Sequence, residues 1–219
     1  MEKYSEILSA APLFSGIDPA DLQSMLGCLS AKVMTVAKGD PVFLEGEPAG
    51  FVGLVLEGSV QLVRDDFYGN RSVLGHGAPG DIFAEAYACA DVATMPVSAY
   101  ALSDCKWMRL DCRKMLTVCS NSCGFHNRLV KNLLGITARR NLQLSAKIQF
   151  MSQKTTRQKL MAYLSQQAKI QGSAAFTIPF QRQALADYLG VERSAMSAEL
   201  SKLRQEGILE CKGSWFHLL

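Results

Sequence analysis

The first half of the chain alternates short apolar runs with turn residues. Phe51-Val52-Gly53-Leu54-Val55-Leu56, Ser59-Val60-Gln61-Leu62-Val63 and Pro96-Val97-Ser98-Ala99-Tyr100-Ala101 are such runs, rich in β-branched and aromatic side chains. Nine of the 17 glycines fall between Gly39 and Gly80, where they punctuate the runs as turns between strands would require. Many short strands about ten residues apart predict a small sandwich or barrel closed on itself. Ahead of them, Asp18 can accept from free helical amides and Pro19 fits the first helical position. A short helix is therefore expected to run to about Leu29.

After Asp111 the period lengthens. From Ser120 to about Phe150 there is no proline, and Cys123, Leu129, Val130, Leu133, Leu134, Ile136, Leu142, Leu144 and Ile148 recur at helical spacing. A helix of roughly thirty residues is a rod about 45 Å long. A β-domain of about 110 residues cannot cover so long an apolar stripe, so part of it is expected to pack against a second copy. Thr137 and Arg140 interrupt any coiled-coil seam and leave its register unspecified. A further helix is predicted over Lys154 to Lys169, with Leu160, Met161, Tyr163 and Leu164 inward and Gly172-Ser173 ending it. Phe176 to Phe180 then reads as an extended piece.

The stretch from Arg182 to Leu200 has the spacing of a helix-turn-helix. Ala186 lets two helices cross closely, Gly190 supplies a left-handed turn, and Leu185, Leu189, Val191 and Met196 form a shared apolar core. The second helix, Arg193 to about Glu206, would bury Met196, Leu200 and Leu203. That leaves Arg193, Ser194, Ser197, Ser201 and Lys202 outside, a polar face suited to base edges in a major groove, with Arg193 able to bond guanine O6 and N7 together. Gln181, Arg182 and Gln183 begin the first helix, where side chains and free amides can hold phosphates. Ile208 to Leu218 reads as two strands around a Lys212-Gly213-Ser214 turn, a wing.

Composition narrows the function classes. With 219 residues, 48% apolar and 20% charged, the chain fits one large domain or two small ones. No stretch reaches the ~18 consecutive apolar residues of a membrane span. Glu2, Lys3 and Glu6 occupy the place of a secretory leader's apolar segment, so a cytoplasmic protein is expected. The net charge of +3 conceals an asymmetry. Met1 to Cys112 carries 7 Lys and Arg against 15 Asp and Glu, net −8, whereas Arg113 to Leu219 carries 16 against 5, net +11. A basic half of that size points to a polyanionic partner. No glycine-rich phosphate loop, His-Glu-x-x-His or Gly-x-Ser-x-Gly is present and the three histidines are scattered, so an enzyme is not expected.

An N-terminal helix, a glycine-punctuated β-roll, a long helix and a winged helix-turn-helix, in that order, resemble the Crp/Fnr family of bacterial transcription regulators. The resemblance spans nearly the whole chain. It is carried by Pro12-Leu13-Phe14-Ser15-Gly16-Ile17, Leu56-Glu57-Gly58-Ser59-Val60, Gly80-Asp81-Ile82-Phe83-Ala84-Glu85, and the helix-turn-helix followed by Glu206-Gly207-Ile208-Leu209. It implies an α+β chain: a jelly-roll effector domain resembling the cyclic-nucleotide-binding type over 1–112, a dimerisation helix and linker over 113–150, and a winged helix-turn-helix over 151–219. It further implies a homodimer on a pseudo-palindromic double-stranded operator, no membrane, contact with RNA polymerase if the protein activates, and an effector that shifts the population of DNA-competent dimers.

Cyclic-nucleotide-binding members of the family hold the ribose with a Gly-Glu pair and the phosphate with an Arg-Ser pair about ten residues later. Here the pairs read Ala84-Glu85 and Val97-Ser98. Without the arginine, the phosphate loses a bidentate, charge-assisted partner, which argues against cyclic AMP. The positions that the resemblance assigns to the effector pocket are Phe83, Ala84, Glu85, Val97 and Ser98, with Leu142 and Gln143 from the long helix. An iron–sulfur cluster is also argued against. The N-terminal cysteine cluster of oxygen-sensing members is missing, and none of Cys28, Cys89, Cys105, Cys112, Cys119, Cys123 and Cys211 forms a Cys-x-x-Cys pair. Carbon-monoxide-sensing members place their haem ligands just after Gly-Asp-x-Phe, where this chain has Ala84 and Ala86, but haem as such stays open. Cys119, Cys123 and His126 stand at i, i+4 and i+7 of the long helix. They are the alternative metal, haem or thiol site, set against cysteine's ordinary use as a small core residue. His76 is expected in a solvated Gly75-His76-Gly77 turn.

Overall fold

A computed structural model of the chain describes residues 2–117 and 124–219. They divide into two compact units, Met1–Ala138 and Arg139–Leu219. The first unit opens with α1 (Ser5–Ala10) and α2 (Pro19–Cys28). Asp18 Oδ1 accepts the Ala20 amide at 2.9 Å and Pro19 takes the first helical position, as the sequence suggested. The strands that follow are β1 (Lys32–Val36), β2 (Pro41–Phe43), β3 (Phe51–Glu57), β4 (Val60–Asp65), β5 (Arg71–Gly77), β6 (Ile82–Phe83), β7 (Ser98–Ala101) and β8 (Cys105–Asp111). They pair antiparallel into two sheets, β1-β8-β3-β6 and β2-β7-β4-β5. A short helix α3 (Glu85–Cys89) separates β6 from β7, and α4 (Cys112–Leu116) follows β8.

The unbroken apolar run of β3 has a direct cause. Phe51 and Val55 point into the roll beside Phe43, Val60, Phe83, Ala99 and Trp107. Val52, Leu54 and Leu56 point the other way, onto Leu13, Phe14, Met25 and Met115. A strand covered on both faces has no polar face to show, so its pattern does not alternate. β8 divides likewise, with Cys105 and Trp107 inside the roll and Met108 and Leu110 under the helices. Gly53 pairs with Phe83 across β3 and β6, and the Phe83 ring occupies the space that a Cβ on Gly53 would need.

His76 lies within β5 rather than in a turn. Its ring Nε2 is 3.0 Å from the side-chain nitrogen of Gln61, its partner on β4. The glycines beside it are strand glycines: a Cβ on Gly77 would fall 2.9 Å from Val60 Cγ2, so Gly77 makes room for the Val60 side chain.

The long helix α5 (Gly124–Met151) places Leu129 and Leu133 in the core of the first unit and Phe150 in the core of the second. Asn132 fixes its first half by donating to the carbonyls of Leu13 and Ser15 at 3.0 and 2.8 Å. In the second unit α6 (Thr156–Gln171) begins later than Lys154 because Thr155 forms a capping box. Its Oγ1 accepts the Gln158 amide at 3.1 Å, and Gln158 Oε1 accepts the Thr155 amide at 3.3 Å. The extended piece after it shortens to β9 (Ala175–Thr177), just ahead of Pro179, which has no amide to donate. Then come α7 (Arg182–Leu189), α8 (Arg193–Gln205), β10 (Leu209–Lys212) and β11 (Trp215–Leu218), with the strands ordered β10-β11-β9. Leu160, Tyr163, Leu164, Leu185, Leu189, Met196, Leu200, Leu203 and Phe216 make one core beneath them.

Candidate nucleic-acid interface

The turn between α7 and α8 is closed from its own backbone. Gly190 adopts φ +60°, its amide donates to Asp187 O at 3.2 Å, and the Val191 amide donates to Ala186 O at 3.0 Å. This satisfies the last carbonyls of α7 and demands the left-handed region that glycine reaches without strain. Lys159 on α6 donates to the Gly190 carbonyl at 3.3 Å. Arg157 grips Glu206 through both guanidinium nitrogens, at 3.0 and 2.5 Å, and so ties α6 to the end of α8.

At its start α8 is capped by Glu192, whose carboxylate accepts the Ala195 amide at 2.8 Å and the Ser194 hydroxyl. The Ser194 hydroxyl, then the amides of Ser194 and Ala195, hold this carboxyl below the usual carboxylate range. Met196, Leu200 and Leu203 are buried. Arg193, Ser194, Ser197, Ser201 and Lys202 are all exposed. Two of the serines have their protons engaged, since Ser194 donates to Glu192 and Ser201 donates to the Ser197 carbonyl at 3.1 Å. Their oxygens therefore keep only acceptor capacity for a further partner.

Gln181 precedes α7 without capping its first-turn amides through its side chain. Arg182 is half-buried, with its guanidinium 5.0 Å from the centre of the Phe216 ring on β11. Gln183 is exposed and donates to Asp187 at 2.9 Å. Sequence reasoning missed Glu192, Arg157 and Lys159. An acidic residue just before Arg193 was a readable capping signal. The partners of Arg157 and Lys159 are too distant along the chain to be read.

In the first unit, Phe83, Ala84 and Val97 are buried within the apolar interior of the roll. Ala84 adopts φ +63°, a left-handed conformation that favours glycine. Glu85 is buried. Ser98 is partly exposed, and its Oγ accepts the Glu45 amide at 3.0 Å, binding β7 to the loop before β3. The interior is filled by Phe43, Phe51, Phe83 and Trp107, with ring centroids 5.4 to 6.3 Å apart in successive pairs. Trp107 Nε1 is buried without an acceptor among the described residues. Leu142 and Gln143 belong to the other unit, exposed on α5.

His126 is buried, and its Nε2 lies 2.9 Å from the Met115 carbonyl, a hydrogen bond within the core of the first unit. Cys119 and Cys123 lie outside the described residues. Among those described, no group of three or more His, Cys, Asp or Glu side chains is arranged to hold a metal, and no helix is long and apolar enough to cross a membrane.

Residues 33–122 match the cyclic nucleotide-binding domain and residues 158–219 match the Crp-like helix-turn-helix domain. The chain is 23% identical over 212 residues to the CRP-like cAMP-activated global transcriptional regulator of Mycobacterium tuberculosis, covering 95% of this chain and 92% of that one. It is 22% identical over 187 residues to the transcriptional activator protein anr of Pseudomonas aeruginosa, covering 83% of this chain and 74% of that one. Among solved structures, the c-di-GMP responsive global regulator CLP of Xanthomonas campestris shares the fold with a TM-score of 0.56 at 19% identity, over 92% of this chain and 99% of that one. The relatives are transcription regulators and not enzymes.

Proposed function

The chain belongs to the Crp/Fnr family of transcription regulators, and on that premise we propose that it acts as a dimer on a pseudo-palindromic operator, with one copy of α8 in the major groove of each half-site. The observation that carries this reading is the exposed polar face of α8, standing opposite a wholly buried Met196, Leu200 and Leu203 seam. Arg193, at the N-terminal end of that face, reads a guanine through O6 and N7. Ser194 and Ser201 present acceptors and so favour amino groups, the N6 of adenine or the N4 of cytosine. Gln181, Gln183 and the free amides of α7 hold phosphates, while Arg182, stacked on Phe216, ties the backbone contact to the wing. The net charge of +11 on the half beginning at Arg113 supports such a contact.

In the same reading, residues 1–112 are the sensor, 113–150 carry the dimer seam and 151–219 bind DNA in the cytoplasm, meeting RNA polymerase if the protein activates. The same reading argues against cyclic AMP as the effector. Val97 offers no charge where the phosphate clamp would stand, and a phosphate placed in an interior lined by Phe83 and Trp107 would be stripped of water without a counter-charge.

A fluorescence-anisotropy titration against the protein's own promoter duplex tests the proposal. Binding should prefer that duplex to random sequence, be unmoved by cyclic AMP, and weaken about 10³- to 10⁵-fold between 50 and 200 mM salt if six to ten phosphates are contacted. Arg193→Ala should cost about 1–3 kcal/mol and relax preference at one base of each half-site. Shallow salt dependence with no preference for the promoter would sink the idea.

A further inference from the structure

We propose that Cys89 and Cys112 form an oxidisable dithiol, which a hydroperoxide closes into an intramolecular disulfide. The pair lies outside the DNA-binding surface and is distinct from Cys119 and Cys123. Cys89 is the last residue of α3 and is exposed; Cys112 is the first residue of α4 and is buried. Their sulfurs are 3.9 Å apart, in hydrogen-bond contact. A disulfide requires about 2.05 Å, so the sulfurs must approach by about 2 Å. Elsewhere the backbone around Cys112 is fixed: its amide donates to Gly50 O at 3.2 Å, and Asp111 caps α4 by accepting the Lys114 amide at 3.1 Å. The side chain at the end of the five-residue helix α3 is the one placed to move.

The two thiols differ in a way that suits sequential chemistry. The hydrogen bond from Cys112 lowers the Cys89 thiol to about 7, against burial and the charge of Glu85, which oppose ionisation. The same bond and burial push the Cys112 thiol up. Near neutral pH the exposed sulfur is therefore substantially thiolate, the nucleophilic form, and the buried one keeps its proton. In the first step Cys89 Sγ attacks the nearer peroxide oxygen. An S–O bond forms, the O–O bond breaks, and the leaving oxygen takes up a proton to depart as water, or as an alcohol from an alkyl hydroperoxide. Cys89, oxidised by two electrons, is now a sulfenic acid. In the second step Cys112 Sγ attacks that sulfur. The S–S bond forms, the S–O bond breaks, and the hydroxyl leaves as water with the proton that Cys112 gives up. Two thiols and one hydroperoxide yield one disulfide, one water and one further water or alcohol. The product links α3, next to the Ala84-Glu85 pair, to α4, the last element of the β-roll before the chain proceeds to α5. An oxidant thereby marks the sensor unit without entering its interior.

The full-length reduced protein, treated with hydrogen peroxide, blocked with N-ethylmaleimide and digested without reductant by trypsin and an Asp-N protease, tests this. Asp81–Ala90 should appear linked to Asp111–Arg113 with a mass two hydrogens below the sum, and a thiol reductant should release them. In the Cys112→Ser variant, whose hydroxyl keeps a donor beside Cys89 but cannot form the disulfide, the same treatment should leave Cys89 as a sulfenic acid that a 1,3-dione captures. Alkylation of Cys89 by iodoacetamide in the untreated protein should accelerate as pH rises through about 7. The proposal is overturned if both cysteines are recovered as maleimide adducts while other thiols oxidise. It is equally overturned if Cys89 pairs with a different cysteine or proceeds to sulfinic acid with Cys112 still reduced. Should Cys112→Ser fail to fold, the map of the unaltered protein decides alone.

Discussion

Gly53 determines how the inside of the roll is filled. A Cβ there would lie 2.2 Å from Phe83 Cζ, and the ring cannot step aside, because Phe43 and Trp107 stand 6.3 and 5.4 Å away, centroid to centroid. Gly53→Ala should therefore destabilise the first unit by about 1–3 kcal/mol through overpacking. The check is a urea titration, in which the midpoint falls at an unchanged slope; an unshifted midpoint would mean that the aromatic cluster repacks freely. The sequence showed Val97 and Ala84 as substitutions in a ligand cassette. It did not show that the space behind them is packed with four aromatic rings, since Phe43, Phe51, Phe83 and Trp107 come from different strands and only the register joins them.

Among the elements, those set by local chemistry were legible. Asp18 and Pro19 start α2, Gly190 turns α7 into α8, and Lys212-Gly213-Ser214 turns the wing, each through residues adjacent in sequence. What escaped were ties between distant elements, above all Arg157 with Glu206 and Cys89 with Cys112. The first has a pH signature. The Arg157 guanidinium holds the Glu206 carboxyl below its ordinary 4.5. A carboxyl lowered in the folded state contributes stability that is present above its unfolded value and lost as pH falls through the lowered one. Thermal melts of the protein and of Glu206→Gln should thus differ at pH 7, with the variant melting lower, and converge in acid once the pH has fallen past the ordinary 4.5 and through the lowered value. Parallel curves across that range would assign Glu206 no part in holding α8 to α6. Both side chains are more than a third exposed, so the difference should be small.

At the scale of the whole molecule, the exposed leucines of α5 are the feature that one copy leaves open. Leu142, Leu144 and Ile148 are 69, 61 and 66% exposed, and Leu134 on the same helix is 66% exposed. Large apolar side chains grouped on one helix mark an association surface. For the proposed dimer, Leu144→Glu combined with Ile148→Glu should shift the mass measured by light scattering from dimer to monomer and cost operator affinity about 100-fold or more, because a half-site held alone loses the second contact. Neither residue lies in the core of either unit, so each unit should keep its melting transition. The two tryptophans happen to divide between the units. Trp107 is buried in the β-roll, whereas Trp215, 38% exposed, begins the second wing strand. The protein thus carries two built-in optical reporters. Emission at shorter wavelengths comes from an indole shielded inside the sensor, and emission at longer wavelengths from one beside the proposed DNA contact. Each can be isolated by replacing the other with phenylalanine, so that what happens in the roll and what happens at the wing can be followed separately in one unlabelled molecule.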